Sequence, residues 1–215
     1  MGLKKINLVL KPEDTFFTRH YSSRGRLLFP EAEISFSFQK VPDGTAHAVV
    51  CARDFVEEER FLMLNGDNHY PAGPLRMLLQ SPELHISMVG FDIEGFNPWV
   101  KERLSSFGMI RTEGGKLTQI VEKSEHPEIN CTNDSLHSEK HEMVKIKNRV
   151  LVSMNLWCFN LDIMDICQRV PRHPPRSPGK QSEYELPDAV NLFMEKGKQV
   201  LVYYACEDIM DLTHA

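Results

Sequence analysis

Residues 61–71, FLMLNGDNHYP, decide the fold, because a short apolar run ends there in a glycine and an acid. Four consecutive apolar residues at 61–64 are typical of a parallel strand that is buried on both faces. Ligands of open α/β sheets bind at the carboxyl ends of such strands, which is where Asp67 lies. A carboxylate beside Gly66 suits a hard divalent cation that carries phosphates. The same Gly-Asp pair also occurs in ordinary turns, so the interpretation depends on the neighbouring segments.

Strand-like runs alternate with helical patterns along the rest of the chain, which predicts an α/β fold with a three-layer, mostly parallel sheet. A glycine pair, Gly114 and Gly115, separates two extended runs and predicts a hairpin over 108–121. The predicted strands are 6–10, 34–38, 61–64, 86–91, 150–159 and 200–205, and the predicted helices are 45–55, 74–79, 163–169 and 186–196.

The length of 215 residues suffices for one substantial core, so residues 1–215 are predicted to form a single domain. Residues 124–148 are mostly polar, and we interpret them as an insertion or mobile loop with little core. Four prolines within residues 171–178 predict a second irregular segment.

Composition excludes several classes of function. The net charge of −5 provides no basic surface for nucleic acid. No apolar run approaches the roughly 20 residues that span a bilayer, and the apolar run at 6–10 is too short for a signal peptide. The five cysteines are scattered and form no C-x-x-C pair, which favours reduced thiols in the cytoplasm over a disulfide framework or a zinc site.

Polar groups follow several other predicted elements. The carboxamide of Gln39, after the second strand, can donate to and accept from the edge of a base. Gly44, at the start of a helix, allows a flat ring or a phosphate to approach backbone amides. Glu122 can accept hydrogen bonds from vicinal sugar hydroxyls, and Lys123 can hold a phosphate. Asp211 follows the last strand and can bring a second carboxylate to a metal ion.

Five motifs in this order resemble the sugar-1-phosphate nucleotidyltransferase family, the pyrophosphorylases that make nucleoside-diphosphate sugars. The resemblance implies the nucleotide-diphospho-sugar transferase fold, which is Rossmann-like. The motifs are Q-x4-GTA at 39–46, LNGD at 64–67, FG…VEK at 107–123, ELPDAV at 185–190 and DLT at 211–213.

The resemblance also implies an activity. The substrates would be a nucleoside triphosphate and a sugar-1-phosphate, the cofactor would be Mg²⁺, and the released product would be pyrophosphate. Asp67 and Asp211 would hold the metal ion, and Lys123 would bind the phosphate of the sugar-1-phosphate. These three residues are the predicted catalytic set.

The predicted binding residues follow from the same resemblance. Gln39 would read the base with Gly44 packed beside it, and Gly108 and Glu122 would bind the sugar ring. Asn155 stands where the family usually has glycine, so its side chain would narrow or change the sugar pocket.

The sequence departs from the family at its start, because the glycine-rich loop G-x-G-[TS]-R and its preceding strand have no counterpart. We therefore expect a fold that is truncated at its N-terminus. The alternatives are a non-catalytic nucleotide-sugar-binding or regulatory module, or a fragment of a longer enzyme. A metal-dependent glycosyltransferase is disfavoured because Asp67 is followed by Asn68 and His69, which is no D-x-D motif. The base, the sugar and the oligomeric state stay open, with a homo-oligomer possible.

Overall fold

A computed structural model describes residues 3–57, 60–83, 85–121, 131–140, 142–175, 179 and 181–212. The chain divides into two compact units, Met1–Glu59 with Leu161–Ala189, and Arg60–Asn160 with Val190–Ala215. The single domain expected from the length stays a prediction. Within the described ranges, no helix combines the length and the apolarity that crossing a bilayer requires.

The first unit is built on a β-α-β crossover. Strand β1 (Lys5–Leu10) and strand β2 (Glu33–Phe38) pair in parallel and are connected by helix α1 (Thr15–Leu28). Alternating apolar residues in both strands explain the pairing, since one face of each strand can pack under a helix. The predicted strands at 6–10 and 34–38 are thus confirmed.

The first unit also contains two further helices and the start of a third. In the third, which begins at Leu186, Pro187 lies in the first turn, and Gly197, with φ of +78°, follows the end of the helix, as the sequence predicts. Residues 172–175 and 181–182 are irregular, apart from one bridge between His173 and Glu183. The helices are α2 (Thr45–Cys51), α5 (Asp162–Cys167) and α6 (Leu186–Glu195).

The second unit contains a seven-stranded sheet among its described residues. Its strands are β3 (Arg60–Met63), β5 (Ile86–Asp92), β6 (Gly108–Glu113), β7 (Lys116–Val121), β8 (Cys131–His137), β9 (Met143–Asn160) and β10 (Val200–Ala205). They lie in the order β3-β9-β5-β10-β7-β6, with β8 paired to β9 and β10. A small ladder joins β4 (Asn68–His69) to β11 (Met210–Asp211), and the helices are α3 (Ala72–Leu79) and α4 (Pro98–Lys101).

This sheet is mixed, so the prediction of a mostly parallel sheet is wrong. Only the pairs β5–β10 and β8–β10 are parallel, and the remaining pairs are antiparallel. Short connections explain part of the difference, because β6–β7 and β8–β9 follow each other closely in the chain and strands joined by a tight turn pair in the antiparallel sense. The predicted hairpin is one such pair: β6 and β7 are joined at Gly114 and Gly115, which have φ of +57° and +78°. The other antiparallel pairs join strands that are far apart in the chain.

Strand β3, which contains the first residues of the 61–71 stretch, is also less buried than the sequence predicts. Strand β3 is half-buried along its length and pairs antiparallel with β9. Within the described part of the chain it has no second neighbour, so it is an edge strand. An uninterrupted apolar run predicts burial on both faces, but a strand at the edge of a sheet has no neighbour on one side and is therefore less shielded from solvent.

The interpretation of residues 124–148 as a loop with little core is wrong for its described part. Residues 131–137 form β8, and residues 143–148 begin the 18-residue strand β9. Ile146 is buried, whereas Lys145 and Lys147 on either side of it are exposed. The segment is therefore polar overall because one face of an antiparallel strand meets solvent.

The core of the second unit lies on the faces of β5 and β9, where α3 and the 96–107 segment cover the sheet. Every residue of β5 is buried, which confirms the strand predicted at 86–91. The buried cluster includes Met77, Leu78, Val89, Phe91, Phe96, Val100, Phe107, Met109, Val152, Met154, Leu156 and Tyr203.

Candidate active site

Gln39 lies directly after β2, at the carboxyl ends of the two parallel strands of the first unit. Its backbone amide donates to the carbonyl oxygen of Leu10, the last residue of β1, at 2.8 Å. Its side-chain nitrogen Nε2 donates to the carbonyl oxygen of Gly44 at 2.9 Å. The structure therefore brings together the two residues that the sequence assigns to the base, and it does so at a strand edge where α/β sheets take ligands.

Gly44 starts α2 in a conformation that favours glycine, with φ of +94°. A Cβ built on it would clash with the carbonyl oxygen of Tyr184 and lie 2.8 Å from the carbonyl carbon and amide nitrogen of that residue. Backbone hydrogen bonds from Ala46 to Tyr184 and from Tyr184 to Asp43 hold the two segments together, at 2.9 and 3.0 Å. Glycine is required here by the close approach of this backbone.

The turn before Gly44 is fixed by charge as well. Arg172 donates to both carboxylate oxygens of Asp43, at 2.5 and 2.6 Å, and its guanidinium lies 4.4 Å from the centre of the Tyr184 ring. The hydrogen bond to Asp43 raises the pKa of Arg172. The ELPDAV motif contributes to the same packing, because the Leu186 amide donates to Thr45 Oγ1 at 2.9 Å.

The sequence did not single out His47, which contacts Gln39 from the first turns of α2. Its Nδ1 lies 3.2 Å from Gln39 Nε2, and its Nε2 lies 3.8 Å from Cys51 Sγ. The sequence offers one signal for His47: it directly follows the Q-x4-GTA run, and its four-residue spacing to Cys51 places both side chains on one helix face.

The second unit brings Asp67 and Asp211 to neighbouring positions, although they are far apart in the chain. Asp211 in β11 pairs with Asn68 in β4, and the Leu212 amide donates to the Asp67 carbonyl oxygen at 2.7 Å. Asp67 is exposed and Asp211 is buried. The β4–β11 ladder thus joins the LNGD and DLT motifs, as far as the latter is described.

Arg103 is a third charged group in this region, and no sequence motif marked it. Its Nη1 donates to Asp211 Oδ2 at 2.8 Å. The Arg103 side chain is 24% exposed and that of Asp211 is 6% exposed, so the pair is largely shielded from water. Arg103 lies in the short segment between α4 and β6, where a lone arginine looks like an ordinary surface residue.

Tyr70 links this region to the central strand β9. Its hydroxyl donates to the Met154 carbonyl oxygen at 2.5 Å and accepts from Asn68 Nδ2 at 3.1 Å. The pKa of Tyr70 is raised to about 12, mainly by burial and to a smaller extent by the negative charges of Asp67 and Asp211, against the lowering effect of the hydrogen bonds from Asn68 and Asn65. Both carboxylates therefore lie near enough to this hydroxyl to influence its pKa.

Asn155 interrupts β9 with a left-handed backbone, at φ of +53°. Its backbone amide donates to Ser153 Oγ at 3.3 Å, and its side-chain Oδ1 accepts from Trp157 Nε1 at 3.3 Å. The pairing of β5 with β9 also shifts register at this place. Asparagine tolerates this conformation better than most residues, after glycine. Gly108 pairs with Ser153, which brings the two predicted sugar-binding positions close together.

Two predicted site residues, Glu122 and Lys123, lie outside the described residues, directly after the end of β7. Thr213 of the DLT motif also lies outside them. No group of three or more His, Cys, Asp and Glu side chains placed to hold a metal ion occurs within the described ranges.

The sequence profile of the nucleotidyl transferase family matches residues 1–208. The chain belongs to this family. The match includes the Q-x4-GTA and LNGD motifs and ends three residues before Asp211. It confirms the family that the ordered motifs indicate.

Similar proteins agree with the family. The UTP--glucose-1-phosphate uridylyltransferase AglF of Haloferax volcanii is 23% identical over 201 residues, which cover 93% of this chain and 68% of AglF. The low-salt glycan biosynthesis nucleotidyltransferase Agl11 of the same organism is 25% identical over 168 residues, which cover 77% of this chain and only 38% of Agl11. This chain thus spans well under half of the second relative.

A solved structure supports the fold. The inositol-1-phosphate CTP transferase from T. maritima superposes with a TM-score of 0.64 at 13% identity, over 99% of this chain and 72% of the other. This likeness confirms the α/β fold of the nucleotide-diphospho-sugar transferase type. The corrections above concern the strand pairing within that fold.

Proposed function

We propose that this chain transfers a nucleoside monophosphate from a nucleoside triphosphate to a sugar-1-phosphate and releases pyrophosphate. The observation that carries the proposal is the β4–β11 ladder, which places Asp67 and Asp211 at neighbouring positions beside Tyr70. The name of AglF makes UTP and glucose-1-phosphate the first substrates to test.

The reaction needs positioning and charge neutralisation more than a strong base. An oxygen of the sugar-1-phosphate attacks the α-phosphorus, and the bond between the α- and β-phosphates breaks as pyrophosphate leaves with the electron pair. The attacking oxygen already belongs to an anion, so no proton must be removed from it first. The protein's task is to hold two anions in line and to offset their repulsion.

Asp67 and Asp211 are the residues that would hold Mg²⁺. Their chemistry fits this ion, because Mg²⁺ is commonly held by one or two carboxylates together with substrate phosphates. The bound ion would neutralise charge on the phosphates as pyrophosphate leaves. Arg103 already donates to one oxygen of Asp211 and supplies a positive charge at the same place.

The remaining predicted residues would bind substrate. Gln39 would read the base beside Gly44, and their mutual hydrogen bond supports a shared role. Gly108 and Asn155 would border the sugar, which the pairing of Gly108 with Ser153, two residues before Asn155, supports. Glu122 and Lys123 keep the roles that the family resemblance implies, for the sugar ring and its phosphate.

We also propose the cytoplasm as the place of this reaction. The described cysteine side chains Cys51, Cys158, Cys167 and Cys206 are free thiols, which is the usual state in a reducing compartment. A homo-oligomer stays a prediction.

A non-catalytic nucleotide-sugar-binding module is the second candidate. The observation that favours it is the Arg103–Asp211 ion pair, since a carboxylate neutralised by arginine is a weaker metal ligand. In that case nucleotides would bind at Gln39 without turnover.

The test is pyrophosphate release from UTP and glucose-1-phosphate in the presence of Mg²⁺, with nucleotide binding measured on the same preparation. We expect release that requires both substrates. Asp67→Asn should lower kcat by about a hundredfold or more, because it removes one charge of the proposed metal site.

Glu94→Gln is the matched control, because it removes an exposed carboxylate of the same unit and should leave the rate close to that of the wild type. Binding without release would support the non-catalytic module instead. If no nucleoside triphosphate binds, both candidates are wrong.

A further inference from the structure

We propose that His47 is a positioning residue that fixes the orientation of the Gln39 amide and so selects bases with a ring N–H. These bases are uracil, thymine and guanine, in contrast to cytosine and adenine. The inference rests on the proposed function, because it assumes that Gln39 faces the base of a nucleotide.

The orientation of the Gln39 amide follows from its contact with Gly44. A backbone carbonyl oxygen can only accept, so the side-chain atom that lies 2.9 Å from it must be the nitrogen. The assignment of the two amide atoms is therefore set by the chemistry of the partner. Gly44 itself is held in place by the Tyr184 backbone, so the acceptor does not move away.

His47 uses the second hydrogen of the same nitrogen. Its Nδ1 lies 3.2 Å from Gln39 Nε2, and it can accept only if that ring atom carries a lone pair. The ring proton then belongs on Nε2, which lies 3.8 Å from Cys51 Sγ, a weak acceptor. Gly44 and His47 together take both hydrogens of the Gln39 amide.

The oxygen Oε1 is the polar atom of this amide that remains for a ligand, and it can only accept. A reversed amide would oppose the lone pairs of Oε1 and the Gly44 oxygen and lose that hydrogen bond, and it would keep the bond to His47 only if the ring proton moved from Nε2, beside Cys51 Sγ, to Nδ1. Without His47, reversal would sacrifice only the bond to Gly44. His47 therefore supplies part of the preference for one orientation.

A fixed acceptor distinguishes bases by the atom that faces it. Uracil and thymine present N3–H and guanine presents N1–H, so each can donate to Oε1. The corresponding ring nitrogens of cytosine and adenine carry lone pairs, which Oε1 would repel. Specificity of this kind arises because the wrong base leaves a polar group unpaired.

The test compares two variants of similar shape, His47→Asn and His47→Leu. Asparagine places an acceptor oxygen at the position of Nδ1, whereas leucine has the same branching without a polar atom. The readout is the ratio of UTP to CTP, both in equilibrium binding and in kcat/KM for pyrophosphate release. We expect the wild type to prefer UTP, His47→Leu to lower that preference by about fivefold, and His47→Asn to retain it.

A second measurement needs no variant. The ring-nitrogen chemical shifts of ¹⁵N-labelled His47 in the full chain report which nitrogen carries the proton, and we expect the proton on Nε2. A proton on Nδ1 would overturn the inference even if His47→Leu does not fold.

The outcomes separate this inference from the proposed function. Absence of nucleotide binding by the wild type would overturn both. A wild type that binds and turns over nucleotides but prefers CTP or ATP would overturn the inference alone. The same holds if His47→Asn and His47→Leu shift the UTP to CTP ratio equally, or if neither shifts it.

Discussion

The Gln39 region and the Asp211 region differ in how far along the chain their partners lie. Gln39 bonds to residues five and eight positions away, through neutral hydrogen bonds and one glycine turn. Asp211 bonds to Arg103, which is 108 positions away, through a shielded ion pair. A local network can fix one amide and so select a base. A long-range network can gather charge around a reacting phosphate.

The largest expected effect separates these two roles. Asp211→Asn should lower kcat/KM by about a hundredfold or more with every nucleotide, because it removes charge from the proposed metal site. Gln39→Met should lower kcat/KM by about tenfold and should abolish the preference between UTP and CTP. Steady-state kinetics with a panel of nucleoside triphosphates measures both, and similar losses without a change in base preference would contradict the division of roles.

The next prediction concerns the backbone of the Gln39 region. Gly44→Ala should lower the free energy of unfolding by about 2–3 kcal/mol, because it combines a positive φ with a clash against the Tyr184 backbone. Urea unfolding gives the value.

Gly66→Ala is the matched control, because no atom of the described residues, apart from its own chain neighbours, lies within 4 Å of the added Cβ. The change there should stay within about 0.5 kcal/mol. Equal effects at the two glycines would mean that Tyr184 does not constrain Gly44 in solution.

A third effect tests the charges of the long-range region. Arg103→Met should cost about 2 kcal/mol, because it removes a partner from the buried carboxylate of Asp211. Arg53→Met breaks an exposed ion pair with Asp165 and should cost about 0.5 kcal/mol or less.

Addition of Mg²⁺ sharpens the same comparison. If Asp211 belongs to the metal site, Mg²⁺ should raise the melting temperature of Arg103→Met more than that of the wild type or of Arg53→Met. An identical rise in all three proteins would argue against metal binding at Asp211.

The smallest effect concerns Tyr70. Its pKa is raised from 10.0 to about 12 in the folded protein, so the folded state keeps a proton that the unfolded state loses between these values. The stability contributed by this group should therefore fall as the pH rises from about 10 to about 12.

Tyr70→Phe should remove that part of the pH dependence. It should also lower the free energy of unfolding at neutral pH by about 1 kcal/mol, because the hydrogen bond from the hydroxyl to the Met154 carbonyl oxygen is lost. Urea unfolding at neutral and alkaline pH measures both the loss of stability and the change in its pH dependence. An unchanged alkaline slope in the variant would show that Tyr70 does not contribute to it.

Several elements could be predicted from the sequence for clear physical reasons. The strands at 6–10, 34–38 and 86–91 follow from apolar periodicity, and the β6–β7 hairpin follows from its glycine pair. The prediction of a mostly parallel sheet was wrong, because apolar patterns indicate burial but do not indicate which strand is the neighbour or in which direction the two strands pair. The polar composition of residues 143–148 predicts a loop, although the alternation of exposed and buried positions with a period of two is that of a strand.

The candidate site shows the same limit at the level of residues. The order of motifs predicts Gln39, Gly44, Asp67, Gly108, Asn155 and Asp211, and the structure brings three pairs of them near each other: Gln39 with Gly44, Asp67 with Asp211, and Gly108 with Asn155. No sequence motif marks Arg103, and the one signal at His47, its four-residue spacing to Cys51, is shared by many ordinary helix residues.

The sequence by itself determined the family, because five short motifs in a fixed order are difficult to produce by chance, and it determined the local strand, turn and helix signals. Only the tertiary structure decided that the backbone of Asp67 lies beside the strand that carries Asp211, that Arg103 forms an ion pair with Asp211, and that His47 contacts the Gln39 amide. The physical reason is that motifs record local backbone requirements. Pairing across long separations depends on the packing of the whole sheet, and the direction of an amide depends on the atoms that surround it.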